Sequence, residues 1–127
     1  MKFLVDTDTC SFAIRGNGRV LTALTQNYSL WAISSITEYE LRIGAEANQI
    51  FRPAVEAFLF DANILQFDSP SAQAAAVIGA NLRAKGTPLD LADLLIAGHA
   101  AAYDLTLVTN NNKHFARVTG LKLANWS

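Results

Sequence analysis

Short, mostly apolar runs of β-like composition alternate along the chain with longer stretches in which apolar residues recur at helical spacing. Phe3–Val5, Leu30–Ile33, Ile64–Phe67 and Thr106–Val108 read as strands, with a possible fifth at Leu121–Leu123. Two short helices, Thr9–Arg15 and Arg19–Gln26, flank the breaker Gly16-Asn17-Gly18. Ser35-Ile36-Thr37-Glu38 has the capping-box spacing that opens a third helix. Pro53 suits the first turn of a helix running to about Phe60, and Ser69-Pro70 starts another that Gly86 stops. Asp90 can cap a last one, from Leu91 to about Tyr103. Strands that alternate with helices predict an α/β fold on a parallel sheet. Such open sheets bind ligands outside the C-terminal ends of their strands.

Three carboxylates interrupt this pattern at positions their elements turn inward. Asp6 ends the apolar strand FLVD, Glu40 shares a helical stripe with Ile36, Ile43 and Ala47, and Asp93 opens an apolar helix. A carboxylate stripped of water without a partner costs several kcal/mol, so three that converge call for a cation. Each also has a plainer reading. Glu40 could sit at the edge of its face or pair with an arginine. Asp93 could serve with Asp90 as a helix cap, gaining ~0.3–1 kcal/mol from the helix dipole. Asp8 is a second ligand or a turn residue, and the turn is favoured. Glu38 lies two residues from Glu40, hence roughly 200° away around the helix, where Arg42 follows at i+4 as a solvated ion pair.

Composition narrows the chemistry. With 127 residues, 51% of them hydrophobic and 17% charged, the chain is expected to form one domain over 1–127 and to be neither disordered nor dependent on disulfides. LLIAGHAAAY is too short to span a membrane, and the apolar run of MKFLVD stops too early for a signal peptide. Cys10 is the only cysteine, which fits a reducing, cytoplasmic setting. A net charge of −1 argues against a generic basic nucleic-acid coat but leaves open an enzyme acting on nucleic acid. Neither His99 nor His114 has a partner at zinc-ligand spacing, and no phosphate loop or nucleophile elbow is present. An all-oxygen acidic set suits Mg²⁺, or Mn²⁺ in its place, and phosphodiester hydrolysis is the natural reaction class. Arg15, Arg19, Lys85 and Lys113 are the basic candidates near the inferred active edge.

Four segments in order, FLVDTDTCSF, ISSITEYELRIGAE, TPLDLADLLIAGHA and LVTNNNKHFARVTGLKLANW, carry a resemblance over nearly the whole length. The chain resembles PIN-domain ribonucleases, specifically VapC toxins of VapBC toxin–antitoxin modules, and most of all those that cut initiator tRNA in the anticodon stem-loop. The resemblance implies a PIN-like, doubly wound, three-layer α/β/α fold on a parallel sheet of four to five strands. It implies a Mg²⁺-dependent endoribonuclease toxin that inhibits translation, a homodimer, and a VapB antitoxin whose C-terminal segment occludes the acidic pocket. The family's acids correspond to Asp6, Glu40 and Asp93. Asp6 and Asp93 would bind metal directly, and Glu40 would act through water. Where relatives often carry a fourth acid this chain has Asn111, so one firmly held Mg²⁺ is expected, with Asp8 of the DTD opening compensating in part.

Two rivals remain. VDTDT also fits the opening of HAD-type phosphatases, with Asp6 as nucleophile, Asp8 as acid/base, and Ser34 or Ser35, Lys85 and Asp93 in later roles; Glu40 and VTNNN then have no function. The missing fourth acid also fits a catalytically inactive PIN domain kept for binding.

Overall fold

Five parallel strands form the centre of the computed structural model, which describes residues 1–127. They are β1 (Phe3–Val5), β2 (Trp31–Ser34), β3 (Ile64–Leu65), β4 (Thr106–Val108) and β5 (Leu123–Ala124), in the order β3-β2-β1-β4-β5. The chain runs outward from β1 through β2 to β3, then returns to the opposite flank of β1 for β4 and β5. The strand order therefore reverses between β1 and β4, which pair from Phe3↔Thr106 to Val5↔Val108. A crevice for ligands opens at such a point.

Side chains alternate along the strands, and both faces are covered. Leu4, Ala32 and Leu107 point into one core with Leu82, Ile96, Ala97, Ala100 and Phe115. Val5, Ile33 and Val108 point into the other with Cys10, Leu24, Leu41, Val55 and Leu59. Burial on two sides is why these strands read as unbroken apolar runs. Helices α1 (Thr7–Ile14), α2 (Gly18–Gln26), α3 (Ser35–Ala47) and α4 (Arg52–Asp61) form one outer layer. Helices α5 (Ser69–Ala84) and α6 (Leu91–Ala102) form the other, joined by Phe115 of α7 (Asn112–Phe115).

α5 and α6 lie antiparallel in close contact. A Cβ on Gly98 would stand 2.5 Å from Ala75 Cβ, and one on Gly79 would stand 2.9 Å from Leu94 Cδ2. Only a glycine at 98 lets the two backbones approach this far.

Several boundaries differ from expectation. α1 starts at Thr7, two residues early, because Asp6 caps it. α3 is capped by Ser34, whose Oγ accepts from the Ile36 amide at 3.1 Å; the capping box based on Ser35 does not form. Ser35 instead accepts the Phe67 amide at 3.0 Å, which draws the chain away from the sheet and ends β3 at Leu65. α5 does start at Ser69 as expected, with Asp68 as its cap, accepting from both Ser71 N and Ser71 Oγ. Asp90 occupies the cap position of α6 but makes no capping bond with its side chain. β5 falls at Leu123–Ala124 rather than Leu121–Leu123, since pairing with Leu107 and Val108 fixes its register.

Candidate active site

Asp6 leaves β1 and at once caps α1, its Oδ1 accepting from the Thr9 amide at 2.9 Å. This double duty leaves it 4% exposed, and no lysine, arginine or histidine pairs with it. Burial raises its pKa above the ordinary carboxylate value, and the charge of Asp8 adds to this. Hydrogen bonding from the Thr109 side chain and from Thr9 works the other way without cancelling it. Thr109 follows β4, so the first contact to Asp6 crosses the point where strand order reverses.

Asp93 stands in the first turn of α6, half-buried. Its pKa is pushed up to about 6, first by burial and then by the charges of Asp6, Glu40, Asp8 and Asp90. No cation offsets them. Asp6 and Glu40 thus lie within electrostatic reach of Asp93, as do the exposed Asp8 and Asp90.

Glu40 enters from α3. The face of that helix buried in the core consists of Thr37, Leu41 and Ala45, while Ile43 is 53% exposed, so the expected stripe through Ile36, Ile43 and Ala47 is not the packed one. Glu40 flanks the packed face and is only partly covered. Its Oε1 accepts from Thr7 Oγ1 at 2.5 Å, and Thr37 Oγ1 lies 3.1 Å from the same hydroxyl. A groove of about 220 Å³ opens beside it, lined among others by Thr7, Ser11, Arg15, Glu40 and Asn48. Arg15 is thereby the basic candidate nearest Glu40. Lys85 caps the C-terminal end of α5, the end that packs beside the start of α6. Arg19 lines a separate concavity of about 840 Å³ with Asn17, Gln26 and Ser127, which contains no acid. Lys113 is exposed on α7.

Glu38 is occupied as expected, bonded to Arg42 at 2.9 Å, which also reaches Glu56 at 2.8 Å. Asn111 is placed differently from the acids. Its amide Nδ2 lies 2.7 Å from His114 Nδ1, and no contact joins its side chain to a carboxylate. The link is indirect: the Asn111 backbone N–H donates to Thr109 Oγ1 at 2.9 Å, the hydroxyl that also serves Asp6.

No three His, Cys, Asp or Glu side chains close into a ready-made metal cage. The donors that do gather are all oxygens, which suits a hard cation that keeps several of its own waters. Two observations fit such an ion: a buried Asp6 with no counter-charge, and an Asp93 raised to about 6 by burial and by neighbouring carboxylates that no basic side chain offsets. Zinc fits poorly, because Cys10 is fully buried in the core and both histidines are engaged elsewhere. The phosphatase arrangement fits poorly too, since Ser34 and Ser35 are occupied as a helix cap and as an acceptor for Phe67.

Sequence reasoning passed over Thr7, Thr37 and Thr109. The available signal was a threonine within two residues of each central strand's end, Thr7 in VDT and Thr109 in LVT, where a small hydroxyl can face the crevice.

The PIN domain family matches residues 3–121. The chain is 38% identical to the tRNA(fMet)-specific endonuclease VapC of Salmonella typhimurium, over 99% of this chain and 98% of that one. It is 36% identical to the enzyme of the same name from Shigella flexneri, over 100% and 99%. Among solved structures it resembles DNA-bound VapBC from Salmonella typhimurium, with a TM-score of 0.94, 37% identity and 100% and 99% of the two chains covered. A fold shared with VapC proteins and crowded carboxylates at the strand-order reversal make one assignment: the chain belongs to the PIN-domain family, among its VapC members.

Proposed function

We propose that this chain, as a single PIN domain over 1–127, is a Mg²⁺-dependent endoribonuclease toxin of a VapBC module. It acts in the cytoplasm, cuts initiator tRNA in the anticodon stem-loop and thereby stops translation. The observation that carries the reading is the half-buried carboxyl of Asp93, raised to about 6 by burial and then by the charges of Asp6 and Glu40, with no basic side chain to offset them. The names of the Salmonella and Shigella relatives support the tRNA target. The VapBC complexes among the structural neighbours support a VapB antitoxin as partner. A homodimer is part of the same proposal. No helix is long and apolar enough to cross a membrane.

Asp6 and Asp93 hold the metal, and Mn²⁺ can substitute. When bound, Mg²⁺ supplies charge neutralisation at a phosphoryl oxygen and a lowered pKa for water. Glu40, oriented by the Thr7 hydroxyl, aligns the attacking water and accepts its proton. Asp6 needs no reorganisation to do its part, because the Thr9 amide and Thr109 already fix its rotamer. Arg15, which lines the groove beside Glu40, and Lys85, at the end of α5, draw in the phosphate backbone. Asn111 adds no charge, so one ion is held firmly.

The test is brief induction followed by sequencing of RNA 5′ ends, with Asp6→Ala and Asp93→Ala expressed at equal level. A single new end in initiator tRNA, absent from both variants, is expected. Growth arrest by both variants as strong as by the unaltered chain would overturn the catalytic assignment.

A further inference from the structure

α3 and α6 carry Glu40 and Asp93, and one buried polar contact ties these helices together. His99, six residues after Asp93, places Nδ1 2.8 Å from Oγ of Ser34, six residues before Glu40. Both residues are completely buried. Each partner thus lies about 9 Å along its helix from the carboxylate that helix bears.

The hydrogens can be assigned. Ser34 Oγ accepts the Ile36 amide, and its own proton has no acceptor other than His99 Nδ1. Nδ1 is therefore bare, and Nε2 carries the ring hydrogen. That Nε2 is buried without a partner, while the rings of Phe67 and Tyr103 pack edge-on at 5.6 and 5.9 Å and hold the imidazole in place. Burial keeps the ring neutral against the opposing influence of Asp68. A fold that only needed to fill this space could do so with an apolar side chain and leave no N–H unmet. The bond does something packing alone does not: it anchors the hydroxyl that starts α3 to the helix bearing Asp93.

We propose that His99 is a positioning residue for the acidic site, its bond to Ser34 setting the start of α3 against α6 and so placing Glu40 opposite Asp93. This rests on the nuclease reading above. The role differs from simple packing in what it spares. Asp6 and Asp93 do not lie on α3, so metal binding survives when the tie is cut, whereas alignment of water by Glu40 does not.

The experiment compares Ser34→Ala, His99→Leu, the double variant and His99→Asn, whose side-chain amide can take the place of Nδ1. Expected for His99→Leu and Ser34→Ala is a kcat lower by about 10- to 100-fold, the scale of an ångström's misplacement, with KM unchanged within about twofold. Calorimetric affinity for Mn²⁺ should stay within about threefold, the double variant should be no worse than the weaker single one, and His99→Asn should recover most of the rate. Loss of Mn²⁺ binding in step with kcat, additive losses, or failure of His99→Asn to recover would overturn the proposal. An arm independent of activity observes the Thr7 and Thr37 methyl groups by NMR. Their mutual cross-peak should weaken in His99→Leu and return in His99→Asn, and an unchanged cross-peak would refute the positioning role. If Asp6→Ala cleaves RNA as well as the unaltered chain, the nuclease reading falls, and the cross-peak alone then decides whether His99 places α3.

Discussion

Replacing Asp93 by asparagine should make the metal-free protein more stable while abolishing cleavage. The side chain keeps its shape and loses its charge. In the folded protein this carboxyl titrates at about 6 against an ordinary value of 3.8, because burial and four neighbouring carboxylates disfavour the anion. The folded-state value lies above the unfolded one, so the folded state holds the proton more tightly. The penalty is absent below the unfolded value, grows as pH rises from about 4 to about 6, and is complete above that. Without screening it would approach 3 kcal/mol, at about 1.4 kcal/mol for each tenfold shift in proton affinity. Asp93 is only half-buried, and solvent screening reduces this to about 1 kcal/mol. Urea unfolding in chelator should therefore show Asp93→Asn more stable by about 1 kcal/mol near pH 8 and equal to the unaltered chain near pH 4. Added Mg²⁺ should stabilise the unaltered chain and not the variant, since only the former binds it well. A variant no more stable near pH 8, or one stabilised equally at both pH values, would refute the claim that uncompensated charge crowds this site.

Glu40→Gln should lower kcat by at least about 100-fold in a tRNA cleavage assay, whereas Glu38→Gln should stay within about twofold, because Glu38 is spent on an exposed pair with Arg42. Gly98→Ala should destabilise by about 3 kcal/mol or more in urea unfolding, since the new methyl meets Ala75 backbone at 2.6 Å; a loss under about 1 kcal/mol would mean α5 and α6 are not so close. Gly79→Ala meets only the tip of Leu94 and should cost less, about 1 kcal/mol, by the same measurement. Tyr103→Phe removes the hydroxyl that donates to Asp68, so the Asp68 carboxyl, now at about 2, should move up toward its ordinary value in an NMR titration. The folded-state value of Asp68 is depressed, so the stability this bond contributes is present above the ordinary value and is lost as pH falls through about 2.

Much of this protein could be read from local pattern because local pattern is set by local physics. The strands and the long helices were legible because an element buried on one or both faces must repeat its apolar positions at its own period. The helical phase separating Glu40 from Glu38 followed from the same geometry, and so did the surface pairing of Glu38 with Arg42. Errors fell where a tertiary partner competes with a local one. Ser35 has the sequence of a cap, but Phe67 of a distant segment takes its hydroxyl, and Ser34 caps instead because β2 delivers it to His99. The apolar stripe assigned to Ile36, Glu40 and Ile43 was displaced because α3 packs through Thr37, Leu41 and Ala45.

The order of the sheet was beyond reach of any periodicity, since which strand neighbours β1 depends on how long connections close. With it went the electrostatic coupling of Asp6, Glu40 and Asp93, the Thr109 contact that joins Asp6 to the end of β4, and the pairing of the Asn111 side chain with His114 instead of with an acid. The sequence by itself determined which residues carry charge on inward-turned positions, because residue type and helical or strand phase are local properties. Only the tertiary structure decided that Asp6 and Glu40 come within electrostatic reach of Asp93 with no basic side chain to offset them, because that depends on how residues dozens of positions apart are brought together.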